Sequence, residues 1–191
     1  MSLSSIGANH PVGTGVIVGL HDLEMALNNL DSLNVLHLRA AFFMENFFMN
    51  IGLIKNMGIN GMPAAGEIPM PVIASQDIGA YAAKRLSALD FSGSSYQYLL
   101  GERDVSMKEV TSVLGEAIGK PDLSYVQFPL EQAKQGMIGA GVKPNLAELY
   151  IEMYRGAAEG KLMPEKPRDA ESTTPTSLEE FSRTFAAVYN R

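Results

Sequence analysis

The feature that most constrains the fold is a strand, a helix and a second strand in close succession near the start of the chain. Leu3-Ser4-Ser5 predicts the end of a strand, and the segment 16–31 carries leucines at positions 20, 23, 27 and 30, the spacing of one helical face. Val35 to Leu38 predicts the next strand. This order favours a parallel βαβ unit with a right-handed crossover. The chain is therefore predicted to be an α/β protein with part of a Rossmann-like parallel sheet.

Further helices and strands are predicted along the rest of the chain. Two capping boxes, Ser106 to Glu109 and Ser177 to Glu180, predict helix starts. Ser75 predicts the cap of a helix reaching about Leu89. The other predicted elements are a short helix followed by a loop over 42–57, extended pieces over 62–75, strands over 96–100 and 123–128, helices over 129–140 and 145–160, and a connector over 163–175.

Composition excludes several classes of function. With 191 residues, 46% of them hydrophobic, the chain can bury one core of ordinary size. A net charge of −6 without a basic cluster argues against a nucleic-acid partner, which needs lysine and arginine to displace counterions. The lack of cysteine excludes disulfides and thiolate metal sites and fits a cytoplasmic protein. No apolar run approaches the roughly 20 residues that span a bilayer, so we expect no membrane partner.

Residues 35–46, Val-Leu-His-Leu-Arg-Ala-Ala-Phe-Phe-Met-Glu-Asn, combine a short strand with Arg, two small residues, paired Phe and Met-Glu-Asn. Together with the opening Leu3 to Ala8 and the segments 71–79 and 98–101, this order of motifs resembles the NmrA-like proteins, which are atypical short-chain dehydrogenase/reductases. The resemblance covers nearly the whole chain. It implies that residues 1–95 are a remnant of the NAD(P)-binding Rossmann domain, with later strands only, and that residues 96–191 form a smaller α+β substrate-side region.

The resemblance also implies a cofactor, NADP or NAD. The family's glycine-rich dinucleotide turn should precede this chain by about three βαβ units of roughly 30 residues each, and no substitute is found among the eighteen glycines. Gly58 to Gly61 and Gly136 to Gly141 are predicted to be loops or helix ends, because prolines follow both.

Catalytic candidates follow from the family's pattern. In ordinary short-chain dehydrogenases a Tyr and a Lys four residues later share one helical face. The family's K-x-x-E register is matched by His21 to Glu24, so His21 takes the Lys position and Ile17 the Tyr position. His21 is predicted to bind ribose or act as an acid or base near neutral pH. The alternative is a solvated helix histidine paired with Glu24 or Asp22.

The resemblance places further candidates at the strand ends, where ligands of open α/β sheets bind. Ser5 is predicted to touch substrate or nicotinamide, or else to cap a turn. Ser4, Ala40, Ala41 and Phe42 are predicted to contact the cofactor. Ala40 and Ala41 are small enough to let the backbone approach a flat ring. Phe43, Met44, Asn46 and Phe47 are predicted to line an apolar substrate pocket, with an ordinary hydrophobic core as the alternative.

Three functional hypotheses follow. The first is an NAD(P)H-dependent reductase or epimerase-like enzyme acting on a small organic substrate. The second is a non-catalytic redox sensor whose cofactor changes its affinity for a partner protein, because Ile17 replaces the proton-donating Tyr. The third is an inactive truncated product. A sheet that begins at its later strands is also predicted to self-associate through its exposed edge.

Overall fold

The computed structural model describes all residues 1–191. In chain order the elements are β1 (Ser2–Ser5), a 3-10 turn (Gly15–Ile17), α1 (Val18–Asn28), β2 (Val35–Ala40), β3 (Phe42–Phe43), a 3-10 segment (Met44–Asn50), α2 (Ile51–Met57), β4 (Ile59–Met62), β5 (Met70–Ile73), α3 (Ser75–Ala88), β6 (Ser94–Leu99), β7 (Asp104–Val105), α4 (Met107–Ala117), β8 (Ser124–Gln127), α5 (Leu130–Gly139), α6 (Pro144–Ala158) and α7 (Leu178–Tyr189).

The principal sheet has three strands in the order β1-β2-β6, and both pairings are parallel. The strand–helix–strand unit predicted from the sequence is therefore confirmed: β1 leads through α1 to a parallel neighbour, β2. β2 lies in the centre of the sheet, and all six of its residues are buried. One edge of β1 pairs with β2, and its other edge has no strand partner.

The two faces of this sheet are covered by different helices. Alternate residues of β2 point to opposite faces. His37 and Arg39 contact side chains of α1, whereas Leu36 and Leu38 pack with Ile78 of α3. The division at residues 95 and 96 falls within β6, and it remains a prediction.

The helix predicted from the leucine spacing is present as α1, but the leucines do not form its buried face. Leu23 is 42% exposed, and Leu30, just beyond the end of the helix, is 56% exposed. The buried residue of α1 is Glu24. Polar partners explain this orientation, because Glu24 meets Ser4 and Arg39 on the sheet. The apolar flank of α1 is left largely uncovered.

Two smaller sheets complete the β structure. β3, β5 and β7 form one of them, and β4 pairs in parallel with β8. The prediction of a loop before residue 57 was wrong, since residues 44–57 are helical throughout, in 3-10 and then α conformation. The left-handed Gly58, with φ of 67°, ends α2.

Two hydrophobic cores hold the elements together. One lies between the principal sheet and α3, and the other lies beneath α4 and α7, around Met44, Phe47 and Phe185. Both predicted capping boxes start helices: the Ser106 and Ser177 hydroxyls accept the backbone N–H of Glu109 and Glu180. Ser75 is different, because its hydroxyl donates to Glu45 instead of capping α3.

None of the helices combines the length and the apolar character needed to cross a bilayer. No group of three or more His, Asp or Glu side chains is placed to hold a metal ion.

Candidate functional site

The carboxyl ends of the three parallel strands meet at one edge of the principal sheet. Ser5 is paired with Ala40, and the backbone N–H of Ile6 donates to the Ala40 carbonyl at 3.0 Å. The N–H of Ala41 donates to the Leu99 carbonyl at 2.9 Å. The structure thus brings together three of the residues predicted from the sequence, Ser5, Ala40 and Ala41. Ala40 and Ala41 are almost fully buried at this edge.

Ser5 offers a polar group at this edge. The residue is half-buried, and its carbonyl accepts the N–H of Ala8 in a tight turn, while its hydroxyl has no hydrogen-bond partner in the chain. A half-buried hydroxyl of this kind can donate to a ligand atom and accept from another.

His21 is joined to the same turn. Its Nδ1 lies 2.8 Å from the Ala8 carbonyl oxygen, and because a carbonyl only accepts, Nδ1 carries the proton of this bond. In the neutral ring Nε2 is then an acceptor that can take up a proton. The alternative pairing of His21 with Glu24 or Asp22 is not seen. The hydrogen bond of the His21 ring goes instead to Ala8, in the loop after β1. Whether His21 acts in catalysis remains a prediction.

Ser4 points away from Ser5, to the face of the sheet under α1. Its hydroxyl donates to Glu24 Oε1 at 2.5 Å, and the same carboxylate receives two bonds from Arg39, Nε to Oε1 at 3.0 Å and Nη2 to Oε2 at 2.6 Å. All three side chains are buried. The Ser4 side chain is therefore committed to this buried network, and only its backbone is available for the predicted cofactor contact.

The network shifts the pKa values of both charged groups. Burial alone would raise the pKa of Glu24, but the hydrogen bonds from Arg39 and Ser4 outweigh it and hold the pKa below its ordinary value. Burial would lower the pKa of Arg39, and its bonds to Glu24 reverse that and raise it. The pair is ionised at neutral pH, and it fixes α1 on the ends of β1 and β2.

Tyrosines of β6 extend this network toward the connector over 163–175. The Arg39 guanidinium lies 4.1 Å from the centre of the Tyr96 ring, within the range of a cation–π contact. The Tyr98 hydroxyl donates to Glu165 Oε2 at 3.2 Å. The region beyond β6 is thus tied to the sheet through side chains that the sequence did not single out.

The predicted pocket residues are divided between surface and core. Phe42, Phe43 and Asn46 are half-buried. Met44 and Phe47 are each 1% exposed and lie in the core beneath α7. Their side chains therefore pack as ordinary core, the alternative considered for them, and do not open onto a cavity.

A cavity of about 160 Å³ does lie beside this segment. Glu45, Phe48 and Phe181 are among its lining residues. Glu45 Oε1 accepts both the N–H and the hydroxyl of Ser75, at 2.9 and 2.6 Å, so the carboxylate stands at the start of α3. A larger cavity of about 310 Å³ lies elsewhere, between α4 and β8.

The loop between β1 and α1 contains glycines that could in principle bind the pyrophosphate of a dinucleotide. Its Gly13 and Gly15 have φ of 81° and 56°, as in many phosphate-binding turns, but both are packed against α6. A Cβ on Gly15 would lie 1.8 Å from the Leu149 carbonyl oxygen, and the Gly13 N–H donates to Glu152. These glycines serve helix packing, so this loop does not offer a phosphate-binding turn. The predicted contact of Ala40 and Ala41 with a cofactor remains a prediction.

Sequence reasoning missed the residues whose contacts are long-range. Glu24 was considered only as a partner of His21, and Glu45 and Phe48 were passed over beside the predicted pocket. One signal was available: Glu24 and Asn28 are one helical turn apart and mark a polar face on α1. A buried Arg39 on the next strand needs an acidic partner, and that requirement would have selected this face.

Comparisons with known proteins agree with this geometry. No family model matches the chain. It is 34% identical over 145 residues to an NAD(P)H azoreductase of Xenophilus azovorans, a match that covers 76% of this chain and 48% of that protein. The chain therefore spans about half the length of this curated relative.

Solved structures share the fold at low identity. An NADPH-dependent quinone oxidoreductase of Escherichia coli superposes with a TM-score of 0.78 at 19% identity, over 96% of this chain and 66% of that one. NmrA, a negative transcriptional regulator solved with NAD, superposes with a TM-score of 0.56 at 16% identity, over 98% of this chain and 63% of that one.

The parallel sheet, covered by different helices on its two faces, places the chain in the class of Rossmann-like α/β proteins. Within that class the chain has the fold of the NmrA-like, atypical short-chain dehydrogenase/reductases, and the resemblance predicted from its motifs is confirmed.

Proposed function

We propose that residues 1–191 form the nicotinamide- and substrate-facing part of an NAD(P)H-dependent reductase for a small organic substrate. The observation that carries the proposal is the unpartnered hydroxyl of Ser5 at the strand ends, beside Ala40 and the His21-bound turn. The 34% identity to an NAD(P)H azoreductase supports it. The pyrophosphate of the cofactor would be held by a polypeptide segment other than the β1–α1 loop, whose glycines are packed against α6.

In this proposal the reduced nicotinamide supplies a hydride, and the chain supplies the groups around it. Ser5 donates a hydrogen bond to the substrate atom that gains electron density. Ala40 and Ala41 are buried and form the floor of the strand ends beneath the ring. His21 takes up a proton at Nε2 from water and passes it to the reduced product, because Ile17, 6% exposed, offers no phenol for that step.

Reduced nicotinamide mononucleotide tests the proposal, because it presents the reacting ring without the adenylate half. Purified chain is mixed with it and a panel of quinones, azo dyes and aldehydes. We expect oxidation faster than without protein, and a loss of about 100-fold in Ser5→Ala, the order typical of a lost transition-state hydrogen bond. Rates equal to the protein-free control with both this donor and NADPH would contradict the proposal.

The second candidate function is a cofactor-dependent regulator, which is favoured by the buried Ile17 at the position that the resemblance assigns to the catalytic tyrosine. Its NmrA-like neighbour is named a negative transcriptional regulator. Such a protein would bind a partner with different affinities in the presence and absence of NADP, because a ligand shifts an equilibrium only through differential binding. Equal affinities in the two conditions would exclude this function.

A further inference from the structure

A closed ring of hydrogen bonds and short chain segments joins Ser5 to His21, the two residues with polar roles in the proposed reaction. The Ser5 carbonyl accepts the N–H of Ala8 at 3.1 Å. The Ala8 carbonyl oxygen lies 2.8 Å from Nδ1 of His21, which donates to it. The ring closes through α1 to Glu24, whose Oε1 accepts the Ser4 hydroxyl at 2.5 Å, and Ser4 directly precedes Ser5. The imidazole is therefore fixed relative to Ser5 from two sides.

The first side of the ring is a buried carbonyl that needs the histidine. Ala8 is 0% exposed, and a buried carbonyl without a hydrogen bond is costly. The Nδ1–H of His21 supplies that bond. Since such a bond decides which nitrogen of a neutral imidazole carries the proton, the Ala8 carbonyl leaves Nε2 as the proton acceptor. This tautomer is favoured only while α1 holds the imidazole within hydrogen-bonding distance of the turn.

The second side of the ring is a buried contact that holds α1 in place. His21 and Glu24 are three residues apart within α1, so they lie on one side of the helix. Glu24 is 1% exposed, and it receives one bond from Ser4 and two from Arg39. A buried ion pair often adds no stability over apolar residues of the same volume. Its bonds are directional, however, whereas apolar packing is not, so the pair selects one orientation of α1 on β1.

We infer, on the basis of the proposed function, that Ser4 and Glu24 are positioning residues, which hold the His21 ring in its Nδ1-protonated form beside the turn that follows Ser5. Every bond of the ring lies between residues 4 and 24. Neither positioning residue touches substrate or cofactor in this arrangement. The Ser4 hydroxyl acts on the imidazole through Glu24 and one turn of α1, and Arg39 keeps the carboxylate ionised and in place.

Nitrogen-15 NMR of the histidine rings tests this inference in the 191-residue chain without any ligand. Spectra are recorded at about pH 8.5, roughly two units above the ordinary histidine pKa, where the two tautomers of a neutral ring give different nitrogen shifts. His21→Gln identifies the His21 signals by their loss. We expect the Nδ1-protonated form to predominate in the wild type. In Ser4→Ala the ratio of this tautomer to the other should fall at least about 5-fold, as when a hydrogen bond of ordinary strength is lost.

Ser2→Ala is the matched control. Ser2 lies on the same strand as Ser4 and, two residues away, on the same face. Its hydroxyl bonds His37 Nδ1 at 2.6 Å, and the His37 ring leads to Asn28 at the opposite end of α1 from His21. The control thus removes a hydroxyl that also supports α1 but lies outside the ring, and it should leave the His21 tautomer unchanged.

Turnover shows whether the position of His21 matters for the reaction. With reduced nicotinamide mononucleotide as the donor and the substrate that the wild type reduces fastest, we expect Ser4→Ala to lower kcat about 10-fold to 100-fold, the order typical of a misplaced group. The KM of that substrate should stay within about 2-fold, since Ser4 does not bind it. Ser2→Ala should leave both constants near their wild-type values.

Circular dichroism should show that Ser4→Ala is folded, because both Arg39 bonds to Glu24 remain. An unfolded Ser4→Ala chain, an unchanged tautomer ratio in it, an equal change in Ser2→Ala, or a changed ratio with unaltered kcat would each overturn the inference. A wild type that turns over with neither this donor nor NADPH would overturn the proposed function instead, and the tautomer ratio would then decide whether Ser4 and Glu24 position His21.

Discussion

Glu24 and Arg39 form a buried ion pair that joins the first helix to the central strand of the sheet. Arg39 Nη2 lies 2.6 Å from Glu24 Oε2, and the two side chains are 7% and 2% exposed. Ser4 adds a third hydrogen bond from the neighbouring strand. One carboxylate thus holds β1, α1 and β2 together immediately below the strand ends where the candidate site lies.

Removing one partner of this pair should be costly. Glu24→Ala leaves the Arg39 guanidinium buried without its counter-charge, and we expect a loss of about 3–5 kcal/mol in the free energy of unfolding, measured by urea denaturation. Glu67→Ala removes the partner of Lys108 in an exposed ion pair, and should cost less than about 1 kcal/mol. The double variant Glu24→Met, Arg39→Met should recover much of the loss, because it leaves no unpaired charge. Equal effects of Glu24→Ala and Glu67→Ala would contradict this account.

Stability should fall in mildly acidic solution because of His37. Burial lowers the pKa of this histidine, whose ring bonds Ser2 and Asn28. His37 therefore takes up a proton at a higher pH in the unfolded chain than in the folded one. The stability that neutral His37 contributes is present above about pH 6.5 and is lost as the pH falls below that value. Unfolding free energies measured from pH 8 to pH 5 should show the decline, and His37→Gln should remove it. An unchanged slope in the variant would assign the decline to another group.

Local patterns predicted the elements of the fold better than they predicted its contacts. The βαβ unit and the caps at Ser106 and Ser177 depend on residues close in sequence, so spacing and side-chain chemistry were sufficient. The leucine spacing predicted the helix α1 but did not identify its buried face, because Arg39 on the next strand makes Glu24 the buried residue in place of the leucines. A long-range electrostatic requirement overrode the hydrophobic pattern there.

The residues of the candidate site were likewise predicted where local patterns suffice and missed where long-range contacts decide. Ser5, Ala40 and Ala41 could be placed together because parallel strands end at one edge. Ser75 looked like a helix cap, but its hydroxyl donates to Glu45, which lies 30 residues earlier. Local patterns could not tell which of the four predicted pocket residues belong to the core. Met44 and Phe47 pack under α7, and no local pattern reveals where α7 packs.

Gly15 should be intolerant of any side chain. It has a left-handed φ of 56°, and an added Cβ would lie 1.8 Å from the Leu149 carbonyl oxygen and 2.7 Å from the Met153 nitrogen on α6. Gly15→Ala must separate α6 from the turn before α1, and we expect it to cost at least about 2 kcal/mol more than Gly160→Ala. Gly160 also has positive φ, 80°, but has no atom within 4 Å of the added Cβ. Similar unfolding free energies for the two variants would show that the close approach to α6 does not matter.

The last helix should loosen when Asp77 is changed. Asp77 is buried, and its carboxylate accepts the backbone N–H of Thr176 at 3.0 Å and the Thr176 hydroxyl at 2.7 Å, which fixes the residues just before α7. Asp77→Asn keeps one acceptor oxygen but turns an amide N–H₂ toward a donor, so one buried group loses its bond, at a cost of about 1–3 kcal/mol.

Hydrogen exchange should locate that loss. Amides of α7 should exchange about 5-fold to 150-fold faster in Asp77→Asn, the equilibrium change that corresponds to this free energy if α7 opens as a unit, while those of β2 change less. Asp90→Asn, at an exposed pair with Arg85, serves as the control and should leave α7 as protected as in the wild type. Acceleration spread evenly over both cores would mean that Asp77 supports the whole fold, and no acceleration in α7 would mean that its contacts with α4 hold it without the Thr176 bonds.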